Sequence, residues 1–233
     1  MYSKVKKVKT DRKKLTLSTN DAGRYGKVCI ASVEPVEATD PSIEWKSDGD
    51  NVELAVIAKN ALAKTGTFKK AGEGVTTKAG EAVAIKALTP GTVKLTGVTK
   101  DGSNKKVSCT VEVKGTVTKL SFKTSDGKNG YKNITDKGQG KYESTMKAGT
   151  NLTLTPILQI DGIDNAGSTK KTYKAYKKHT DTKVVYSSSD ISVATVSKKG
   201  KISIKKNTAG KTVTISANSA DGKQSAEVLI MVK

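Results

Sequence analysis

The stretch Pro90–Lys114, PGTVKLTGVTKDGSNKKVSCTVEVK, decides the fold class. Apolar and polar residues alternate in Thr92–Thr96 and again in Val107–Val113, which is the two-residue period of a half-buried β-strand. Asp101-Gly102 lies between the two runs and is typical of a tight hairpin turn, because glycine adopts positive φ at little cost. The stretch therefore predicts a β-hairpin.

The same alternation recurs along the whole chain, bounded by clusters of Gly, Asp, Asn and Ser. Further runs are Val28–Val33, Val83–Ala87, Asn151–Thr155, Lys201–Lys205 and Thr212–Ala217. Asp221-Gly222 marks a second hairpin, whereas Val56–Lys64 could form a short helix or an irregular loop. Many short strands at regular spacing predict an all-β protein of the sandwich type.

An internal repeat indicates two domains. Ala209–Lys233, AGKTVTISANSADGKQSAEVLIMVK, follows the plan of Pro90–Lys114, and Ile43–Ser47 corresponds to Val184–Ser188. We therefore expect two tandem β-sandwich domains, residues 1–114 and 115–233.

The two copies differ in their long segments. The first has an insertion at residues 57–80, and the second has longer segments at 125–148 and 161–182. Binding functions commonly lie on such segments of a rigid scaffold, although neutral drift also accumulates there.

The net charge and the residue composition indicate which classes of partner the protein could bind. The 233 residues carry 42 Lys and Arg against 22 Asp and Glu, a net charge of +20, and all but Arg12 and Arg24 of the basic residues are lysines. This charge suits an anionic partner, or it protects strand edges from pairing. The scarcity of arginine and aromatic residues disfavours specific nucleic-acid recognition.

The same composition disfavours several chemistries. One histidine and two cysteines nearly exclude Cys/His zinc sites and most histidine-based catalysis, so we expect neither an enzyme nor a cofactor. No run approaches the ~18 apolar residues of a membrane span, so we expect no membrane insertion.

The second copy resembles the bacterial immunoglobulin-like domain, group 2 (Big_2). The resemblance lies in Tyr186–Asp190 (YSSSD), Val193–Ser197 (VATVS), Gly200–Ile202 (GKI) and Ala209–Ile215 (AGKTVTI). The first copy keeps Trp45-Lys46-Ser47 and the GTVKLT run but departs at Val52–Val56 (VELAV), which the insertion follows, so it is a divergent member. We expect Trp45 and Tyr186 to fill the centres of the two sandwiches.

The resemblance implies a secreted or surface-displayed module of a bacterial surface protein. We therefore expect a non-catalytic adhesion or spacer module that binds an anionic cell-wall polymer, a host glycan or a host protein. The alternatives are a carbohydrate-binding module that uses the tyrosine- and lysine-rich loops of the second domain, and a phage virion decoration protein.

Candidate binding residues come from the long segments of the second copy. Tyr173, Tyr176 and Lys177 lie in the strip TKKTYKAYKK, and Tyr131 and Tyr142 lie in the other segment. These residues could stack on sugars or bind an anionic polymer, or they could form a solvated basic hairpin with tyrosines against the sandwich wall. A calcium site at residues 161–165 is a weaker alternative to an ordinary turn.

Cys29 and Cys109 are both expected on inward-facing positions of the first copy. They could form a disulfide across the sandwich or remain as two buried thiols.

Overall fold

The computed structural model describes residues 2–124 and 134–233. The described chain is mainly β-strand, which confirms the all-β prediction. It divides into two compact units: residues up to Thr116 together with Lys178–Thr180, and Val117–Lys177 together with Asp181–Lys233. Each unit is an immunoglobulin-like β-sandwich.

The first unit is built from two five-stranded sheets. Its strands are β1 (Lys7–Thr10), β2 (Lys14–Ser18), β3 (Tyr25–Glu34), β4 (Ile43–Ser47), β5 (Val52–Ala58), β6 (Lys69–Lys70), β7 (Val75–Thr77), β8 (Glu81–Ala87), β9 (Gly91–Thr99) and β10 (Lys106–Lys114). Their orders are β1-β3-β8-β5-β6 and β2-β10-β9-β4-β7. Short 3-10 helices lie at Asp21–Gly23, Ala63–Thr65 and Ala71–Glu73.

The core of the first unit lies between these sheets. Val28, Trp45, Leu54, Ile85 and Leu95 are all buried there, with contributions from both sheets. Because burial of each such side chain is worth about 1.5–3 kcal/mol, the alternating strands of the sequence are held together mainly by this layer.

The insertion at residues 57–80 is part of the scaffold. Its strand β7 extends one sheet beside β4, and its Phe68 packs against a second, smaller apolar cluster that includes Ala55, Ile57 and Ala84. Gly66 allows this close approach, because a Cβ there would lie 2.5 Å from the Cβ of Ala55. The insertion therefore covers the outer face of the β3-β8-β5 region.

Because the insertion covers the outer face of this sheet, the expectation that Cys29 faces inward is wrong. Val28 faces the main core, whereas the adjacent Cys29 belongs to the small cluster on the other face of its sheet. Cys109 lies in the main core on the opposite sheet. Cys29 and Cys109 are thus free, buried thiols, and the disulfide alternative is not formed.

The second unit follows a similar plan, but its ten described strands form three sheets instead of two. Its elements are β11 (Val117–Phe122), β12 (Ile134–Gly138), β13 (Lys141–Met146), β14 (Asn151–Thr153), β15 (Pro156–Ile160), α1 (Lys170–Lys177), β16 (Val184–Ser188), β17 (Ala194–Val196), β18 (Lys201–Ile204), β19 (Thr212–Ser219) and β20 (Ser225–Val232), with a 3-10 helix at Gly167–Thr169. The sheets are β12-β13-β20-β19-β16, β14-β18-β17 and β11-β15.

The two predicted hairpins are confirmed. β9 pairs antiparallel with β10 and β19 with β20, and Gly102 and Gly222 adopt φ of +79° and +71° in the connecting turns. The repeat also holds at the level of pairing, because Trp45 lies opposite Gly97 and Tyr186 lies opposite Ala217.

The two central aromatic residues are not equivalent in burial. Trp45 is 1% exposed, as expected for the centre of the sandwich. Tyr186 is only half-buried and lies against Gly200, where a Cβ would be 3.0 Å from the ring. The difference follows from the sheet order, because β4 has a strand on each side and β16 is the outermost strand of its sheet.

Candidate functional site

Helix α1 is the element that the predicted binding strip forms, where a loop or hairpin was expected. Lysine and alanine favour helix, and the hydroxyl of Thr169, in the preceding 3-10 helix, lies 2.8 Å from Oδ1 of Asp164. Tyr173 anchors the helix, since it is buried and α1 packs on β15. The helix is therefore fixed on the wall of the second unit with its other faces in solvent.

Four lysines of α1 lie on one side of the helix: Lys170, Lys171, Lys174 and Lys177. At 100° per residue they span an arc of about 120°, and we call this set the lysine arc. All four are exposed, and the structure gives none of them an ion pair with a described residue. The lysine arc is thus a concentrated and uncompensated positive surface.

The lysine arc works against the stability of its own helix. Lys170 and Lys171 lie at the positive end of the helix dipole, and the first turn holds no acidic residue. Lys174 has like-charged neighbours three or four positions away, and each such pair costs about 0.2–0.5 kcal/mol at low salt. An anion bound along the arc would remove this repulsion, so the helix is suited to anion binding.

Of the two alternatives for the tyrosines of this strip, Tyr173 fits the one that places them against the sandwich wall. Tyr173 faces the wall of the unit, and burial raises the pKa of its phenol. Tyr176 is half-buried beside it. The lysines of the strip, including Lys177, are all exposed, as are Thr172 and Ala175.

Tyr142 is a core residue, which corrects its expected place in a binding loop. It is 4% exposed on β13, and its ring packs edge-on against Phe122 at 5.2 Å between centroids. Its hydroxyl accepts a hydrogen bond from the backbone N–H of Phe122 at 3.2 Å. Tyr131, the remaining predicted residue, lies outside the described residues.

The turn at residues 161–165 shows hydrogen bonds of a local turn. Oδ1 of Asp164 accepts from the N–H of Ala166 at 3.3 Å.

Within residues 2–124 and 134–233, no group of three or more His, Cys, Asp or Glu side chains is placed to hold a metal ion. Among those residues, no helix has the length and apolar character needed to span a membrane.

Comparisons with known proteins give no family assignment. No protein-family model matches the sequence, and no curated protein matches it. The group 2 resemblance therefore remains an expectation.

Three of the solved structures to which this chain is similar are the following. A 282-residue C-terminal fragment of intimin, in complex with the intimin-binding domain of the translocated intimin receptor, is 16% identical, with 98% of this chain and 64% of that one covered and a TM-score of 0.41. Drosophila N-cadherin EC1-4 is 14% identical, with 95% of this chain and 48% of that one covered and a TM-score of 0.43. Invasin, described as a bacterial integrin-binding protein, is 14% identical, with 97% of this chain and 38% of that one covered and a TM-score of 0.40. The chain spans less than two thirds of each of these structures.

Proposed function

We propose that this chain is a non-catalytic adhesion or spacer module of a bacterial surface protein, displayed outside the cell, and that the lysine arc binds an anionic polymer. The module belongs to the group 2 bacterial immunoglobulin-like domains, with a divergent first copy. Its partner is an anionic wall polymer or an anionic host glycan. The observation that carries the proposal is the lysine arc, four exposed lysines on one side of α1 without an acidic partner among the described residues.

The mechanism is electrostatic and depends on salt. A rigid sandwich holds α1 at a fixed place, so its lysines meet the polymer without a large loss of backbone entropy. Because exposed charges are screened beyond about 8 Å at physiological ionic strength, the attraction acts at contact distance. Neutral sugars would gain little at this site, because Tyr173 is buried.

The test compares the full chain with two variants of equal net charge. In the first, all four residues of the lysine arc are changed to glutamine. In the matched control, four scattered exposed lysines of the second unit are changed to glutamine: Lys147, Lys198, Lys206 and Lys223. Binding is measured to immobilised polyglycerol phosphate, with dextran as the neutral polymer, over a series of salt concentrations.

We expect the lysine-arc variant to lose at least about tenfold in affinity at low salt. Its plot of log affinity against log salt should become shallower by about one unit for each lysine that contacts the polymer. The control variant should lose much less. Equal losses in the two variants would refute the proposal, because they would show that net charge alone governs binding.

A further inference from the structure

Strand β16 presents an open edge in the second unit. Among the described residues it pairs with β19 alone. The N–H of Ser189 donates to the carbonyl of Thr214 at 2.9 Å, so the backbone groups of Ser189, and by alternation those of Ser187 and Val185, point towards β19. Because backbone groups alternate in an antiparallel pair, the N–H and C=O of Val184 and Tyr186 point away from β19, towards the open edge.

The first unit shows what this edge accepts. The equivalent strand β4 carries β7 on that side, with Ile43 opposite Thr77 and Trp45 opposite Val75. The indole N–H of Trp45 donates to the hydroxyl of Thr77 at 3.0 Å. The fold therefore accommodates an antiparallel strand of β-branched residues at this position, and no described residue of the second unit supplies one.

β16 also lacks the usual protection of an edge strand. Natural proteins place charges or proline on edge strands, or keep these strands short, to prevent pairing with other chains. In the described part of this chain, every other edge strand of four or more residues carries a charged residue or a proline: β1, β2, β11, β12 and β15. The sequence of β16, VVYSS, has neither, and Val185 is 50% exposed.

We propose that β16 binds an extended acidic segment of another polypeptide as an added antiparallel strand. Main-chain hydrogen bonds to Val184 and Tyr186 would provide the affinity, and alternate β-branched side chains would follow the pattern of β7. The charge of this chain, +20, favours an acidic partner over a second copy of itself. This site is separate from the lysine arc and does not depend on it.

The probe is a synthetic peptide, acetyl-EVTVTVTE-amide, added to the isotope-labelled full chain. A peptide with lysine in place of both glutamates tests the charge preference, and one with proline at alternate positions tests strand formation. Hydrogen exchange by NMR is the readout, because it separates the amide of Tyr186, which faces the open edge, from the amides of Val185 and Ser187, which face β19.

We expect the acidic peptide to slow exchange at Tyr186, to bind more tightly than the lysine peptide, and to bind better than the proline peptide. Val184→Pro removes one outward N–H from the first residue of the strand and should weaken binding by about tenfold, the upper range for one hydrogen bond. Val184→Thr keeps that N–H and serves as the matched control. Melting curves show whether both variants fold.

Several results would overturn the proposal. One is unchanged exchange at Tyr186 at saturating peptide. Another is a response confined to the lysine arc, which would assign the acidic peptide to the helix while leaving the proposed function intact. Protection of Tyr186 that rises with protein concentration without peptide would identify a second copy as the occupant.

Discussion

The hydrogen bond between Trp45 and Thr77 gives the sharpest test of the insertion as scaffold. Both residues are buried, at 1% and 2% exposure, and the Nε1–Oγ1 distance is 3.0 Å. Thr77→Val is nearly isosteric but leaves the indole N–H without its acceptor. An unsatisfied buried donor costs about 1–3 kcal/mol, so we expect the first unit to lose about 2 kcal/mol of its free energy of unfolding.

Urea unfolding followed by fluorescence measures this loss in the correct unit, since Trp45 is the single tryptophan of the chain. With a denaturant slope of about 2 kcal/mol per molar, the midpoint should fall by about 1 M. Thr76→Val is the matched control, because Thr76 is the preceding residue on β7 and only half-buried. Its effect should stay within about 0.5 kcal/mol.

Thr77→Ser separates the hydrogen bond from the packing. Serine keeps the acceptor and loses a methyl group, so this variant should be more stable than Thr77→Val if the hydrogen bond matters. Equal midpoints for Thr77→Val and Thr76→Val would refute the reasoning, and β7 would then be held by its backbone pairing with β4 alone.

Three further predictions concern burial. Tyr142→Phe removes the acceptor for the N–H of Phe122 and should lower stability by about 1 kcal/mol in thermal unfolding, while polymer binding stays unchanged. Cys29 and Cys109 should react with a thiol reagent only in denaturant, because both are buried and burial raises the pKa of the Cys109 thiol; a melting temperature that falls on reduction would contradict this. Burial alone would raise the pKa of Asp101, but the hydrogen bonds that its carboxylate accepts hold this pKa at about 2, below the ordinary 3.8. The folded state therefore binds fewer protons than the unfolded state in this range. The contribution of Asp101 to stability should be complete above about pH 4 and lost as the pH falls towards 2. Urea titrations across that range should show a weaker pH dependence for Asp101→Asn.

Most of the strands could be predicted from sequence, because most of them have one buried face and one solvated face. In β10 and β20 the buried and exposed residues alternate from end to end, as the period-2 pattern predicts. The hairpin turns followed from two Asp-Gly pairs. The repeat then identified β4 and β16 as equivalent strands before their sheets were known.

Alternation fails where both faces of a sheet are covered. Ala82, Val83, Ala84 and Ile85 are four consecutive buried residues in β8, and Val28 and Cys29 are adjacent buried residues in β3. Such a run does not show which residue faces which layer. The covering segment is the insertion at residues 57–80, whose own sequence gave no sign that it would fold back onto this sheet.

Helix α1 was missed for a different reason. It is short and carries no broad apolar stripe, so hydrophobic periodicity gives little signal. The signal lay in charge and aromatic spacing: the lysines fall within one arc, and Tyr173 and Tyr176 are three residues apart on another side. If the strip is placed on a helix, this spacing predicts that the tyrosines and the lysines lie on different sides, and it could have distinguished the buried Tyr173 from the exposed lysines.

The two copies share one strand plan, and their differences lie where binding can occur. In the first, the extra residues close the edge of β4 and cover the outer face of the other sheet, so they add to the stability of that unit. In the second, extra residues before β16 form a basic helix, and among the described residues β16 pairs only with β19. The first copy shows that a three-residue strand can close this edge, and β16 carries no charged residue or proline that would oppose such pairing.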